Sequence, residues 1–170
     1  NRRGKTTPSG IEPPFANDRY EISRPEHLIW MVNVVNNELE DGRFQSMKYC
    51  MTQDIDISHI ANWRPIGGYN HPFTGQFDGA GHSITGLTIT AKTEHGTGLF
   101  GCVGEPKGQA AVIRNLTLKD VRIDLSDSGD LMVGALAGST HNARIFRCRA
   151  YGTVKGHGTV GGLVGSFWHG

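Results

Sequence analysis

The spacing of hydrophobic positions changes near residue 44, and the change divides the chain into a helical part and a strand-rich part. Ser23 and Glu26 match a capping box, Pro25 falls in the first turn, and Gly42 is a plausible stop. Apolar residues recur between them at helical spacing: Leu28, Met31, Val32, Val35 and Leu39. The pattern therefore predicts one helix over about 25–40.

Beyond this point short alternations of apolar and polar residues are broken by Gly, Asn and Asp. In the segment 121–125 the odd-numbered residues are apolar, while Arg122 and Asp124 are charged, as in a half-buried strand. Residues 1–20 contain three prolines and read as an extended N-terminal arm. We therefore predict an arm over 1–20 and a single domain over 21–170, with its strands in coils over about 47–170.

Two short units repeat and alternate along the strand-rich part. The first is a leucine between small residues with a glycine two positions later, and the second places apolar residues at i, i+3 and i+5. The leucines and glycines of the first unit are Leu99 and Gly101, Leu136 and Gly138, and Leu163 and Gly165. The second unit starts at Ile84, Ile113 and Ile145.

A repeat of about 30 residues built from strands and turns cannot bury its apolar face alone, so successive repeats must stack. A propeller blade would need about 40 residues in four strands. The pattern therefore predicts a mainly β fold, a parallel β-helix (solenoid), whose N-terminal mouth is covered by the helix. The motif glycines are expected at coil corners, where positive φ or close backbone approach excludes a Cβ.

The segments Gly-Leu-Phe-Gly at 98–101, Gly-Ala-Leu-Ala-Gly at 134–138 and Gly-Gly-Leu-Val-Gly at 161–165 resemble the GLUG motif. The run Trp63-Arg-Pro-Ile-Gly67 and the segment 72–82 resemble it too, and the likeness covers roughly residues 20–170. Ala135 and Ala137 depart from the pattern. The resemblance implies a right-handed β-helix in an extracellular setting, as in bacterial surface proteins, adhesin-like proteins and the non-catalytic regions of IgA-specific metallopeptidases. It implies no reaction.

The composition of the chain argues against several classes of function. The 24 glycines fit a fold with many tight turns, and the 17 Lys+Arg against 16 Asp+Glu leave no basic stripe in the sequence, so we expect no nucleic-acid partner. No apolar run is long enough for a membrane span. Cys50, Cys102 and Cys148 lie outside any zinc spacing, and we interpret them as small buried hydrophobes.

Residues that could carry chemistry are scattered. There is no His-Glu-x-x-His helix and no Gly-x-Ser-x-Gly elbow, so we expect no metal, no cofactor and no catalytic residue. Asp54 and Asp56 would share a strand face, and Asp127 and Asp130 lie in one loop, but neither pair has obvious partners in neighbouring coils. Asp54 and Asp78 are expected to form turns by bonding nearby backbone.

Aromatic residues are the candidates for ligand binding. Tyr69 and His71 border a Gly-rich loop and are the candidate ligand-binding residues. Trp63, which precedes them, is expected to fill the junction between the helix and the first coil. Phe167 and Trp168 form a second aromatic pair.

We therefore predict a non-catalytic binding or structural module of a secreted or cell-surface bacterial protein. Adhesion or surface assembly is the leading function, with a protein or glycan at a cell surface as partner. The C-terminal end of the stack is expected to meet another copy, a pilus-like partner or further repeats. Two alternatives stay open: a passive spacer in a larger secreted protein, and a carbohydrate-active lyase or hydrolase.

Overall fold

The computed structural model describes residues 10–37, 42–91, 93, 96–127 and 130–168. In these ranges the elements are a helix, a short 3-10 helix and a series of strands. In chain order they are β1 Phe15–Ala16, β2 Arg19–Ile22, α1 Pro25–Val35, the 3-10 helix Arg43–Ser46, β3 Lys48–Met51, β4 Ile55–Asp56, β5 Gln76–Asp78, β6 Ser83–Thr85, β7 Thr88–Ile89, β8 Phe100–Val103, β9 Ala111–Arg114, β10 Thr117–Asp124, β11 Asp130–Val133, β12 Ala137–His141, β13 Ala143–Phe146, β14 Arg149–Lys155, β15 His157–Val160 and β16 Val164–Trp168.

The strands form four sheets that are parallel throughout, apart from the antiparallel pair of β1 and β2. Sheet 1 has the order β1-β2-β3-β5-β9-β13, and sheet 2 has the order β14-β10-β6-β4 with β7 also on β10. Sheet 3 pairs β11 with β15, and sheet 4 has the order β16-β12-β8. The predicted mainly β architecture with parallel sheets is confirmed.

The chain visits the sheets in the same order on successive passages, and we call one passage a circuit. The circuit over 111–141 runs through sheets 1, 2, 3 and 4, and the circuit over 143–168 repeats this order. The first circuit, over 48–73, contributes β3 to sheet 1 and β4 to sheet 2, and Ile66 and Phe73 form parallel bridges with β8 of sheet 4. The second circuit, over 76–103, reaches sheet 3 only through a parallel bridge between Thr97 and Val133. Each circuit therefore lies beside the equivalent segments of the next one.

Strand register places like residues side by side in the core. In sheet 1 the paired positions are Tyr20, Tyr49, Phe77, Ile113 and Ile145, and in sheet 2 they are Ile55, Ile84, Leu118 and Ala150. All face one continuous hydrophobic core, which the last circuit joins with partly buried residues. The alternation predicted at 121–125 is confirmed: Val121, Ile123 and Leu125 are buried, while Arg122 and Asp124 are exposed.

The start of α1 differs from the predicted capping box. The N-cap is Arg24, which makes no side-chain cap bond, and the Ser23 N–H donates instead to Nδ1 of His27 at 3.0 Å. Glu26 is drawn away by an ion pair of 3.0 Å with Nε of Arg24. Burial lowers the pKa of His27, which suits a neutral ring that accepts this hydrogen bond.

The end of α1 lies before the predicted glycine stop. The helix ends at Val35, and the Asn36 N–H bonds to the carbonyl of Val32. Gly42, with φ of 79°, instead precedes the 3-10 helix. Residues 38–40 of the predicted helix, and residue 41 after it, lie outside the described residues.

The side chain of Asn36 joins α1 to the first circuit. Its Nδ2 donates to the carbonyl of Pro65 at 2.9 Å, and its Oδ1 accepts from the N–H of Gly67 at 2.6 Å. One amide side chain thus satisfies a donor and an acceptor on the edge of the first circuit, as a neighbouring strand would. Leu28 and Met31 of α1 lie in the same core as the strands.

Residues 10–22 pack against this end of the core. The strand β2, which begins before the predicted domain boundary at residue 21, pairs in parallel with β3. Tyr20 contacts Trp30 and Tyr49, with ring centroids 4.9 Å and 5.5 Å apart. The arm predicted over 1–20 stays a prediction for residues 1–9, which lie outside the described residues.

Candidate functional site

The predicted ligand residues Tyr69 and His71 lie together on one short loop. The loop connects parallel bridges at Ile66 and Phe73, and the N–H of Gly68 donates to the carbonyl of His71 at 3.0 Å. Tyr69 is 73% exposed, whereas Nδ1 of His71 lies 3.0 Å from Nε2 of Gln45. The loop thus presents an aromatic ring to solvent beside an anchored imidazole. Ligand binding by these residues stays a prediction.

Trp63 lies apart from this loop surface, inside the core. Its side chain is 2% exposed, and its Nε1 donates to the carbonyl of Leu99 in the next circuit at 3.1 Å. The ring therefore joins the first circuit to the second and offers no face to a ligand.

The leucines of the repeated motif lie side by side in the core. Leu99 and Leu136 are fully buried, and Leu163 is partly buried against the same core. The N–H of Leu136 donates to the carbonyl of Leu163 at 2.9 Å. The motif leucines are thus inward-facing residues of adjacent circuits.

The motif glycines form a second column, in sheet 4. The register of β8, β12 and β16 aligns Gly101, Gly138 and Gly165 in neighbouring strands. A Cβ at any of the three would collide with main-chain atoms; at Gly138 these belong to Gly96 and Thr97. None of the three has the left-handed φ that was one of the two predicted reasons for glycine. Close backbone approach is therefore the reason, because there is no space for a side chain.

Left-handed corners occur elsewhere in the circuits. Ala80, Asn115 and Arg147 have φ between 53° and 55° and lie at the passage from sheet 1 to sheet 2 in three successive circuits. Of these three residue types, only Asn favours this conformation. The left-handed backbone at these equivalent corners is therefore imposed by the fold, since none of the three residues is a glycine.

Asp54 and His82 form a carboxylate–imidazole pair of the kind that can serve in acid–base catalysis. Nδ1 of His82 lies 3.1 Å from Oδ1 of Asp54, and the same oxygen accepts from the N–H of Ser83 at 3.0 Å. The hydrogen bond from Ser83, followed by the one from His82, lowers the pKa of the Asp54 carboxyl. Asp54 thus holds the next circuit in place, across the stack rather than within its own turn.

Asp56 and Asp78 bond nearby backbone in tight turns. Oδ1 of Asp56 accepts from the N–H of Ser58, and Oδ1 of Asp78 accepts from that of Ala80, both at 2.8 Å. The turn-forming role predicted for Asp78 is confirmed. Asp127 is exposed, and the side chain of Asp130 lies outside the described residues.

Asp78 is also tied to the next circuit. Nδ2 of Asn115 lies 3.2 Å from its Oδ1, and Nε of Arg114 lies 3.3 Å from its Oδ2. Burial alone would raise the pKa of Asp78, but the hydrogen bonds from Ala80 and Asn115 and the Arg114 charge outweigh it and lower the pKa.

The described part of the chain contains no group of three or more His, Cys, Asp or Glu residues placed to hold a metal ion. Cys50 and Cys102 are buried and free, and Cys148 is a partly buried free thiol. Burial raises the pKa of Cys50 and of Cys148, which lowers the share of reactive thiolate.

Two further surfaces carry exposed aromatic or charged residues. Phe167 and Trp168 are exposed at the end of β16. The outward faces of β10 and β14 carry the basic residues Lys119, Arg122, Arg149 and Lys155. The overall charge balance of the sequence does not reveal this basic surface. The signal for it is local, because residues 131–170 contain no Asp or Glu.

Comparison with known proteins gives two partial relatives. Over 129 residues, 69% of this chain, it is 33% identical to Halomucin of Haloquadratum walsbyi. Over 135 residues, 79% of this chain, it is 30% identical to the immunoglobulin A1 protease of Streptococcus sanguinis. The matches cover 1% and 6% of those two proteins, so the chain spans a small part of each. No family model and no solved structure matches the chain.

Among the described residues, no helix has the length and the apolar character that crossing a membrane requires.

Proposed function

We propose that the four sheets form a right-handed parallel β-helix of the GLUG-repeat type. The repeated order of sheets, the parallel pairing of successive circuits and the column of Gly101, Gly138 and Gly165 support this architecture. Right-handed connection is the rule for parallel strands joined by crossovers. The helix α1 and the side chain of Asn36 serve as the N-terminal cap in this proposal.

We infer that the chain is a non-catalytic module of a secreted or cell-surface protein. The observation that carries this inference is that one stretch matches small parts of a protein named as a mucin and of a protease. A unit that both proteins contain need not take part in proteolysis, because only one of them is named as a protease. A protease of immunoglobulin A1 meets its substrate outside cells, which supports an extracellular setting.

The proposed activity is binding at a cell surface, in adhesion or surface assembly. Outward side chains on stacked circuits can change without disturbing the core, so such a module can present binding residues on a rigid support. Tyr69 is the exposed aromatic residue on which we first expect a ligand. The rival is a spacer that binds nothing.

An array of glycans and extracellular proteins distinguishes the two functions. Adhesion predicts saturable binding of the 170-residue chain to at least one immobilised ligand, and a spacer predicts none. Tyr69→Ala should abolish binding if the loop over 67–72 carries it. Phe146→Ala is the matched control, because this aromatic ring is also exposed, at 43%, but lies on β13. Unchanged binding of Tyr69→Ala would refute Tyr69 as a contact residue.

A carbohydrate-active enzyme is kept as the second candidate because Asp54 and His82 are paired near the surface. This function predicts cleavage of a polyuronate, measured as new reducing ends or unsaturated products. Asp54→Asn should then remove the activity while the far-ultraviolet circular dichroism spectrum stays unchanged. An absence of products from polyuronates would remove the reason for this candidate.

A further inference from the structure

Positive charge collects on one lateral surface of the last two circuits. Residues 131–170 include Arg144, Arg147, Arg149 and Lys155 and no Asp or Glu, although the whole chain has nearly equal numbers of both signs. The charge balance of the sequence therefore conceals a strong local imbalance. Strand register decides where these side chains lie.

The strands β10 and β14 turn most of their basic residues outward. On β14, Arg149, Tyr151 and Lys155 are exposed, and they alternate with Ala150 and Val154, which pack against the core. On β10, the neighbouring strand, Lys119 and Arg122 are exposed. We call the five residues Lys119, Arg122, Arg149, Tyr151 and Lys155 the basic face.

The basic face is compact. In the register, Arg149 pairs with Thr117, two residues from Lys119, and Thr153 pairs with Arg122. The two strands are about 4.8 Å apart, and the seven residues of β14 extend over roughly 20 Å. Several cationic groups thus lie within one strip about 20 Å long.

The fold does not require these charges. In the preceding circuit the residues in register with Lys119 and Arg122 are Thr85 and Thr88. The same sheet positions therefore accept small polar side chains, so the lysine and arginine are not needed for stacking.

The cations of the basic face also lack acidic neighbours at ion-pair distance. Arg24, Lys48 and Arg114 are each paired with a carboxylate, at 3.0 to 3.3 Å. Within the described ranges, no such pair within 4.0 Å involves a cation of the basic face. Asp120 and Asp124 lie on β10, and Asp124 is in register with Lys155. The hydrogen bonds from Ser126, and after them the charges of Lys155 and Arg122, lower the pKa of the Asp124 carboxyl. Four cations against these two acidic residues still leave the face with an excess of positive charge.

We infer that the basic face binds a linear anionic polysaccharide that carries carboxylate or sulfate groups. Its cations would pair with successive anionic groups along the glycan, and the exposed ring of Tyr151 would stack on a sugar face between Arg149 and Lys155. This inference rests on the proposed surface-binding function and names a ligand class for it.

A nucleic acid is less suited to the same surface. Single strands are bound on several aromatic side chains that stack successive bases, and duplexes are read by an element that enters a groove. The basic face has one exposed aromatic residue on a lateral sheet surface. This surface also stays open when another strand pairs with the edge of β14, because edge pairing uses the backbone.

The test measures binding of the 170-residue chain to fluorescent heparin and to polygalacturonate oligomers, with neutral dextran as the uncharged probe. The variant is Lys119→Gln, Arg149→Gln and Lys155→Gln together. The control, Lys48→Gln, Arg64→Gln and Lys107→Gln, removes three exposed basic side chains elsewhere. Both variants change the net charge equally.

We expect the wild type to bind both anionic probes, more weakly as salt rises, and not to bind dextran. The basic-face variant should bind about a hundredfold more weakly, and the control should stay within about twofold. Tyr151→Ala should weaken polygalacturonate binding while leaving its salt dependence unchanged. Thermal melting that matches the wild type would show that each variant is folded.

Three results would overturn the inference. Equal losses in the two triple variants would mean attraction to net charge only. Duplex DNA bound as tightly as heparin, with no effect of Tyr151→Ala on any probe, would mean a nucleic-acid surface. Binding to a neutral glycan that needs Tyr69 and not the basic face would keep the proposed adhesive function and refute this site.

Discussion

The column of motif glycines gives a sharp test of how the circuits stack. In Gly138→Ala the new methyl group would collide with main-chain atoms of Gly96 and Thr97. Because these are backbone atoms, no rotamer change can relieve the contact. The N–H of Thr97 donates to Met132 at 2.8 Å, and its carbonyl accepts from Gly134 at 2.9 Å, so a shift of this segment strains the link between sheets 3 and 4.

The expected loss of stability follows from these contacts. Overpacking a rigid site costs about 1–3 kcal/mol, and each of two strained hydrogen bonds adds up to about 1 kcal/mol. We therefore expect Gly138→Ala to lower the free energy of unfolding by about 3 kcal/mol or more. For a chain of this size the melting temperature should fall by roughly 6 °C or more. Urea unfolding followed by far-ultraviolet circular dichroism measures the free energy directly.

Gly162→Ala is the matched control within the same repeated motif. A Cβ at Gly162 meets no atom within 4 Å, and this glycine does not have a left-handed φ. The alanine should therefore leave stability unchanged or raise it by about 0.4–1 kcal/mol, because it restricts the unfolded chain. If Gly138→Ala unfolded at the same urea concentration as Gly162→Ala, close backbone stacking of the circuits would be refuted.

The other two predictions concern a buried hydroxyl and a partly buried ion pair. Thr140→Val should raise stability by about 1 kcal/mol in the same urea assay, because the buried Oγ1 of Thr140 has no hydrogen-bond partner among the described residues. The control Thr97→Val should not be stabilising, since Thr97 shares a hydroxyl hydrogen bond with Thr93, and equal gains would contradict the argument. Since its pKa is lowered in the folded state, Asp78 should contribute stability above its unfolded pKa of about 3.9 and lose it as the pH falls further. The stability difference between the wild type and Asp78→Asn should therefore shrink below about pH 4, and a difference that stays constant from pH 6 to pH 3 would exclude this role.

The burial of the alternating residues and of the repeated leucines could be predicted, because it depends on patterns within short segments of the sequence. The segment 121–125 alternates apolar and charged residues, and the structure buries the apolar ones. Leu99 and Leu136 recur in equivalent surroundings, and both are fully buried. These signals need only the period of two along a strand and the repetition of a motif.

Contacts between circuits could not be predicted, because they depend on register. The motif glycines are compatible in sequence with either positive φ or close backbone approach, and the segment that lies beside Gly138 decides between the two. Asn36 reads as one more helical residue, yet its amide bonds Pro65, 29 positions away. At the loop site, Tyr69 and His71 are close in sequence, but the contact between His71 and Gln45 joins residues 26 positions apart.

The basic face shows how register also creates a binding surface. In stacked parallel strands the backbone edges hold the register and the inward side chains fill the core, so the outward side chains are the ones free to vary. Thr85 and Thr88 occupy in one circuit the positions that Lys119 and Arg122 occupy in the next. The stacking of the circuits therefore does not require cations at these two positions, and the anionic glycan that we propose as ligand would give them a function.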